Sequence, residues 1–149
     1  MSIETVAYAS GLFDGEGCIQ IVKYTSSSSR SKSKIYGLQV TVNMASFSPP
    51  EFLKKYFGGS IIKRKKINIR QTYNWQIYGM KAMFFLKSIY PYSLVKKEQI
   101  ENAIEFQEHM EAFKKVFPKM GRRTTLPIEI IEHRETLFKK AKILKHNFH

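Results

Sequence analysis

The chain has 149 residues, which suffice for one domain with a hydrophobic core and are too few for two ordinary domains. Its 43% hydrophobic and 13% aromatic residues exclude a disordered chain. A net charge of +13, from 25 Lys and Arg against 12 Asp and Glu, indicates a polyanionic partner, with nucleic acid ahead of an anionic membrane. The single Cys18, the lack of a secretory signal and the lack of an apolar run of about 20 residues predict a soluble intracellular protein with no membrane partner, in the cytoplasm or in an organelle if organelle-encoded.

The positive charge is concentrated in the middle of the chain. Residues 1–20 contain three acids and no Lys or Arg, whereas residues 21–74 contain 11 Lys and Arg and one acid, a local charge of +10. The remaining charges of both signs follow helical spacing, which is typical of solvated helix faces. We therefore expect the polyanion to contact the middle of the chain.

The first part of the chain predicts a helix and two strands. Residues 3–15 have a helical pattern with Ser2 as N-cap, and a strand follows at 18–24. The Ser, Lys and Arg run at 25–34 has no apolar residue to bury and predicts a loop or hairpin tip. Residues 36–44 alternate between apolar and polar side chains, as in a strand with one buried face.

The second part predicts another pair of strands between helices. Its elements are, in order, a short helix at 51–57, strands at 60–69 and 72–78, and helices at 81–89, 94–117 and from about 127 to 145. The order α-β-β-α-β-β-α-α-α predicts an α+β fold with an antiparallel sheet, all helices on one sheet face and an open, polar face opposite. We expect one domain over 1–149, with a core at about 3–117 and a helical extension at about 118–149.

The first helix combines a face of small side chains with two acids at its end. Ala7, Gly11 and Gly15 are spaced four apart, and this spacing fits either a close helix–helix contact or a helix pressed against its own sheet. Asp14 and Glu16 lie at the carboxyl end, where the helix dipole disfavours each negative charge by about 0.3–1 kcal/mol. Carboxylates in that position suit a hard divalent cation, which prefers oxygen ligands.

The segment ASGLFDGEG at 9–17 resembles the LAGLIDADG motif of homing endonucleases and related maturases. The identical positions are Gly11, Leu12, Asp14 and Gly17, and Glu16 stands conservatively for the second acid. The resemblance extends through the predicted αββαββα order over residues 3–117. It implies metal-dependent cleavage of double-stranded DNA during intron homing. One motif copy implies a homodimer and a near-palindromic target, because each protomer would read one half-site.

The resemblance also implies roles for the residues around the motif. Glu16 corresponds to the metal ligand, with Gly15 beside it, and Mg²⁺ is the expected metal. Asp14 corresponds to the first acid, which we expect to have a structural role at the helix end. The dimer interface would contain Ala7, Gly11, Asp14 and Gly15.

Two further catalytic roles follow from the same resemblance. In PYSLVKK (91–97), Lys96 is the first choice and Lys97 the second for a basic residue that stabilises developing negative charge, although both lysines could simply be solvated at a helix start. Asn43 corresponds to a polar residue near the metals, whereas a gap-free comparison places Ala45 there.

The polar strand positions and the central basic residues predict a DNA-binding surface. The polar side chains suit base edges in the major groove, and the cations suit phosphates, although ordinary solvated strands have the same composition. The candidates are Gln20, Gln39, Thr41, Asn43, Gln71, Thr72, Asn74 and Gln76, with Arg30, Lys32, Lys34, Lys63, Arg64, Lys65, Lys66 and Arg70. Two alternatives share the fold: a maturase that assists folding of an intron RNA, and a DNA-binding regulator that does not cleave.

Overall fold

A computed structural model describes residues 1–25, 34–65, 70–117 and 126–147. In chain order the elements are α1 Ile3–Glu16, β1 Gly17–Thr25, β2 Lys34–Met44, α2 Ser48–Phe57, β3 Ser60–Arg64, β4 Thr72–Tyr78, α3 Gly79–Ile89, a 3₁₀ helix Tyr90–Tyr92, α4 Lys97–Val116 and α5 Ile128–His146. This order confirms the predicted α+β arrangement. The predicted hairpin tip at 26–33, the end of the third strand at 66–69 and the break at 121–123 lie outside the described residues. None of the helices described is both long enough and apolar enough to cross a membrane.

The four strands form one antiparallel sheet in the order β1-β2-β4-β3. The hairpin of β1 and β2 pairs Gln20 with Gln39, and β4 then pairs with the inner part of β2. In the described residues, β4 pairs with β2 only from Gln39 to Met44, so the outer part of the β1–β2 hairpin extends beyond β4 as a two-stranded ribbon.

The helices lie on one face of the sheet, as the alternating pattern predicts. Val40 and Val42 on β2 and Trp75 on β4 are fully buried on this face. The ring of Phe85 on α3 makes edge contacts with Phe13 on α1 and Trp75 on β4, at centroid distances of 5.3 and 5.1 Å. Edge-on aromatic packing of this kind adds about 0.5–1.5 kcal/mol per pair to the burial of apolar area. The result is a packed support for α1, and none of the described helices covers the opposite sheet face.

The start of α4 differs from the sequence prediction. Helical spacing predicts a helix from residue 94, whereas α4 begins at Lys97 and residues 93–96 connect it to the 3₁₀ helix. The backbone N–H groups of Leu94, Val95 and Lys96 point to the Asp14 carboxylate, 80 to 82 positions earlier in the chain. This tertiary contact keeps the segment out of the helix.

The last helix, α5, is attached to the sheet and to α4. The Glu135 carboxylate accepts hydrogen bonds from Lys23 Nζ, at 2.7 Å, and from the hydroxyl of Tyr36. These two hydrogen bonds lower the pKa of Glu135 to about 2, and the hydrogen bond from Lys23 has the larger effect. The Asn102 side chain on α4 donates a buried hydrogen bond of 3.1 Å to the Leu137 carbonyl. Since Lys23 and Tyr36 are paired across β1 and β2, α5 supports the outer ribbon from its helix-covered side.

Candidate functional site

The end of α1 is fixed by Phe13 and Gly17. Phe13 is fully buried, and Gly17 passes from the helix directly into β1 with φ −75° and ψ 147°. A Cβ atom on Gly17 would lie 2.2 Å from the Phe13 ring and 2.5 Å from the Phe13 carbonyl oxygen. Glycine is therefore required at position 17 for steric reasons, because no other residue allows so close an approach. This anchor fixes the positions of Asp14, Gly15 and Glu16 in the last helical turn.

The carboxylate of Asp14 holds the segment between the 3₁₀ helix and α4. Its Oδ1 accepts from Ser93 Oγ at 2.6 Å and from Lys96 N at 3.3 Å, and its Oδ2 accepts from Leu94 N at 2.7 Å and Val95 N at 3.3 Å. Burial alone would raise the pKa of Asp14, but these four hydrogen bonds together hold it below its ordinary value. The ionised carboxylate of Asp14 is thus used inside the chain.

Lys96 lies beside the two acids of α1. Its Nζ donates a 2.5 Å hydrogen bond to the Asp14 carbonyl, one of the unpaired carbonyls at the helix end. Burial lowers the pKa of Lys96, while the charges of Asp14, Cys18 and Glu16 act in the opposite direction. The second candidate, Lys97, lies instead over the Tyr90 ring, with Nζ 5.7 Å from the ring centroid. The structure therefore brings Lys96, and not Lys97, into the group with Asp14 and Glu16.

Glu16 differs from Asp14 in its surroundings. Its side chain is exposed, and no hydrogen bond between described residues reaches its carboxylate. Gly15 beside it is also exposed. Within the described residues, no group of three or more His, Cys, Asp or Glu could hold a metal ion. One protomer thus offers one free carboxylate at this position, fewer protein oxygens than a hard divalent cation usually takes from a complete protein site.

Asn43 lies at the inner end of the open sheet face, which is the end next to the motif, where Gly17 pairs with Val42. It is exposed near the end of β2 and is paired with Asn74 on β4. The other candidate, Ala45, lies beyond the end of β2 and has only a methyl side chain. Of the two positions, only Asn43 presents a polar group on the sheet.

No described residue covers the face of α1 with small side chains. A Cβ atom on Gly11 or on Gly15 would meet nothing within 4 Å, and Ala7 is exposed. The buried residues of α1, which are Ala9, Ser10 and Phe13, lie on the opposite side. Within the described residues, the small-residue face is not pressed against the sheet. It remains available for another helix.

Apolar side chains surround this uncovered face. Leu94 is 86% exposed, and Val95 beside it is 45% exposed. At the other end of α1, Ile3 and Tyr8 are also exposed. A group of exposed apolar residues next to a glycine-lined helix is typical of a protein interface.

Most of the predicted base-contacting residues share the open face of the sheet. Paired residues of neighbouring strands lie on the same face, so the register arranges them in cross-strand rows. One row contains Gln20, Gln39 and Tyr78, the next Cys18, Thr41, Gln76 and Ser60, and the next Asn43, Asn74 and Ile62, with Thr72 and Arg64 following. Asn74 is buried within its row, with 5% of its surface exposed. Gln39 donates to the Tyr78 hydroxyl at 3.1 Å and Gln76 to Ser60 Oγ at 3.3 Å.

Three of the predicted DNA contacts are placed differently. Lys63 is paired with Tyr73, so its register places it in a row of the helix-covered face, although its side chain is exposed. Gln71 donates a 2.7 Å hydrogen bond to the Tyr73 hydroxyl and is therefore directed to the same side. Lys65 lies just beyond the end of β3 and is exposed. The placement of Lys63 follows from the two-residue period of a strand, in which a shift of one position reverses the face.

Two of the remaining basic candidates lie at the ends of strands. Lys34 is exposed at the start of β2, and Arg70 is exposed just before β4. Arg30, Lys32 and Lys66 lie outside the described residues. Arg64 is the one cation of β3 whose register places it in an open-face row, opposite Thr72.

Sequence reasoning missed several residues around the site. Ser93 and the backbone of Leu94 and Val95 hold Asp14, whereas the sequence indicates only the lysines of this segment as site residues. Cys18 and Tyr78 lie on the open sheet face among the polar candidates. Strand alternation from Gln20 and Gln76 could have identified both of them.

Comparison with known protein families gives a match over most of the described sheet and helices. The model of the LAGLIDADG endonuclease family matches residues 9–106, about two thirds of the chain. This range begins in α1 and ends in α4, and so contains the motif, the whole sheet and Lys96. No curated protein matches the sequence.

Solved structures of similar fold include several DNA complexes. The homing endonuclease I-CvuI, bound to its target in the presence of Ca, has 16% identity and a TM-score of 0.72, over 95% of this chain and 82% of its own. The archaeal intron-encoded I-Vdi141I, complexed with DNA, has 14% identity and a TM-score of 0.74, over 95% and 84%. The homing endonuclease I-TnaI has 15% identity and a TM-score of 0.70, over 95% and 93%. Another I-CvuI structure, in the presence of Mg, contains DNA that is not cleaved.

Proposed function

Because the chain belongs to the LAGLIDADG endonuclease family, we propose that it is a homodimeric, metal-dependent enzyme that cuts double-stranded DNA at a long, near-palindromic site. The observation that carries this proposal is the uncovered glycine-lined face of α1, which ends in the free carboxylate of Glu16. Contact of two such faces around a two-fold axis would bring two Glu16 side chains together. Each protomer would then place one open sheet face on one half-site.

The free α1 face supports the dimer. Among the described residues of the protomer, nothing packs so closely against Gly11 or Gly15 that a larger side chain would be excluded. Glycine inside a helix costs about 0.5–1 kcal/mol relative to alanine. A partner helix that approaches closely would offset this cost. It would also cover the exposed Leu94 and Val95. The dimer interface in this proposal contains Ala7, Gly11 and Gly15. The Asp14 carboxylate instead holds the segment 93–96 of its own protomer.

The surroundings of the two acids support different roles for them. Asp14 is occupied by four hydrogen bonds, so Glu16 is the acid available to a cation, with the Gly15 backbone beside it. Two protomers and the phosphate oxygens of DNA together supply the oxygen ligands that one protomer lacks. This donor set fits Mg²⁺, which prefers carboxylates combined with phosphate and water oxygens. When bound, the cation supplies charge stabilisation to the attacking and leaving oxygens of the phosphodiester.

The protein residues orient the scissile phosphate and balance its charge. Lys96 is held at the end of α1 by the Asp14 carbonyl, so its ammonium group has little freedom beside Glu16. A cation fixed before the reaction stabilises negative charge that develops on the phosphate without reorganisation. Asn43 at the inner end of the sheet offers an amide that can hold a water molecule or a phosphate oxygen. The open face of each sheet binds the flanking bases through its rows of polar side chains.

Cleavage by Glu16→Gln protein tests the catalytic assignment. Duplexes are first selected for binding from a random pool in Ca²⁺, and cutting is then started with Mg²⁺. We expect Glu16→Gln to retain binding and to lose cleavage by at least about a hundredfold, because even the loss of an outer partner of a metal ligand costs about 10- to 100-fold. The matched control is Glu51→Gln, an exposed acid in the first turn of α2. Unchanged cleavage by Glu16→Gln would refute the assignment.

The same experiment separates the two alternatives. A DNA-binding regulator would bind the selected duplexes and leave them intact in Mg²⁺. A maturase would prefer a structured intron RNA to every selected duplex. Lys96→Met, compared with Lys97→Met, then tests the choice between the two lysines, and we expect only the former to lower the cleavage rate.

The dimer has its own test. Gly11→Leu introduces a side chain where the protomer leaves open space, so the monomer should fold normally while the close helix contact is blocked. We expect the sedimentation mass to change from two protomers to one and double-strand cleavage to be lost. A wild-type protein that sediments as one protomer, alone and on DNA, would refute the dimer.

A further inference from the structure

The open sheet face changes in character along its length. Near the motif its rows carry mainly amides and hydroxyls, with Ile62 at the β3 edge. Farther along the β1–β2 ribbon, the last two described rows on this face pair Val22 with Gly37 and Tyr24 with Ile35, and the exposed Lys34 follows in the next pair, on the opposite face. Tyr24 is 53% exposed and Ile35 41% exposed. Val22, Tyr24 and Ile35, the outer patch, therefore present aliphatic and aromatic carbon where the inner rows present hydrogen-bonding groups.

The outer patch has a defined shape. A Cβ atom on Gly37 would lie 3.5 Å from the Tyr24 hydroxyl and 3.6 Å from Val22 Cγ2, so the Tyr24 side chain extends over Gly37 toward Val22. On the opposite side of the ribbon, the paired Lys23 and Tyr36 are both bonded to Glu135 of α5. The ribbon is thus supported directly behind the patch, and the apolar surface is presented by a fixed backbone.

The position of the patch corresponds to the outer part of a half-site. Asn43 and Ile35 lie eight residues apart on β2, which is about 26 Å at about 3.3 Å per residue. At about 3.4 Å per base pair, this length spans about eight base pairs of B-DNA. A two-stranded ribbon also has the width that the major groove admits.

The chemistry of the patch selects one feature of the major groove. The groove edges of G, C and A present only hydrogen-bond donors and acceptors, whereas T also presents its C5-methyl group. Burying a donor or acceptor against Ile35 would leave it unpaired, at a free-energy cost, while burying a methyl group there is favourable. Neither of the two outer rows contains a charged side chain that would prefer a phosphate.

We propose that the outer patch reads thymine C5-methyl groups at the outer base pairs of each half-site, about eight base pairs from the inner end of the sheet. The proposal rests on the proposed DNA-binding function. It assigns specificity to residues that do not hydrogen-bond to bases: Ile35 and Val22 through methyl contact, and Tyr24 through its ring. We therefore expect A·T pairs at the outer positions, with the thymine on the strand whose C5-methyl group lies next to the ribbon in the major groove.

Two randomised duplex pools, one with thymine and one with uracil throughout, test this proposal with the wild-type protein, because uracil lacks only the methyl group. Bound duplexes are sequenced. We expect the thymine pool to be enriched in T at the outer positions, and the uracil pool to lose that enrichment while it keeps the selected inner bases. In a single selected duplex, each outer T→U change should weaken binding about fourfold, which corresponds to about 0.8 kcal/mol per buried CH₂ group.

A variant adds an independent measurement. Ile35→Thr keeps a β-branched side chain but removes apolar surface, and it should reduce outer T enrichment without changing the inner bases. The control is Ile128→Thr, an isoleucine that is 69% exposed at the start of α5.

The possible failures are distinguishable. If the bound duplexes show selected bases at the inner positions but no base preference, or a preference for G·C pairs, at the outer positions, the thymine proposal is overturned. The proposed function would not be affected by that result. No base selection at any position would overturn both. A sedimentation mass that falls in Ile35→Thr, with an unchanged response to uracil, would show that the patch joins copies of the chain and would overturn the proposal.

Discussion

The substitution Asp14→Asn should lower the free energy of unfolding, whereas Glu16→Gln, two positions later, should not. The Asp14 carboxylate accepts four hydrogen bonds from the segment 93–96. A hydrogen bond to a charged group contributes about 1.5–3 kcal/mol and one between neutral groups about 0.5–1.5 kcal/mol. Asparagine keeps one acceptor oxygen and replaces the other by an NH₂ group, so two of the four bonds become neutral, at about 1 kcal/mol each, and the other two lose their acceptor. Because Asp14 is partly exposed, solvent screening reduces the total to about 2 kcal/mol. In a chain of this size that lowers Tm by about 4–8 °C.

Urea unfolding at equal protein concentration, followed by circular dichroism, measures this difference. Glu16→Gln is a matched control because it removes one charge from the same helical turn without a hydrogen bond between described residues, and surface changes of this kind stay within about 0.5 kcal/mol. A loss in Asp14→Asn no larger than the loss in Glu16→Gln would refute the structural role of Asp14.

The difference in the free energy of unfolding between the wild type and Asp14→Asn should become smaller as the pH falls. The pKa of Asp14 in the folded chain is below its ordinary value, so its contribution is fully present above the unfolded pKa of about 4 and is lost as the pH falls through the folded pKa. The asparagine side chain of the variant has no proton to gain, so the stability gap between the wild type and the variant should be constant from about pH 5 to 7 and close at lower pH. A gap that widens on acidification would contradict the lowered pKa.

Two further pairs of variants test the steric and register arguments. Gly17→Ala should lower the free energy of unfolding by about 1–3 kcal/mol because its Cβ would overlap Phe13, whereas Gly37→Ala should be tolerated, since its Cβ would make only ordinary contacts at 3.5 Å. Thermal melts compare them, and equal losses would contradict the close contact. Arg64→Ala should reduce the slope of log affinity against log salt by about 1, and Lys63→Ala should change it less, because only Arg64 lies on the open face. Fluorescence anisotropy on a selected duplex measures both slopes, and a larger effect of Lys63→Ala would contradict the register.

The order of elements and the place of the motif could be predicted from residue spacing. Apolar residues recur with period 2 in residues 36–44, and the helical segments recur with period 3.6, because each side chain lies on a face set by local backbone geometry. The same local geometry places Ala7, Gly11 and Gly15 on one helix face and Asp14 and Glu16 at its end. These features depend only on neighbours within a few positions, so spacing was sufficient to predict them.

Contacts between distant segments determine which acid is free and which face of the sheet each cation occupies. Asp14 and Glu16 are both carboxylates at a helix end, and they differ only because a segment about 80 positions later donates its N–H groups to Asp14. The basic run at 63–66 looks the same in either strand register, so only pairing with β4 places Arg64 on the open face and Lys63 opposite. Such contacts bring distant positions together, and residue spacing carries no information about them.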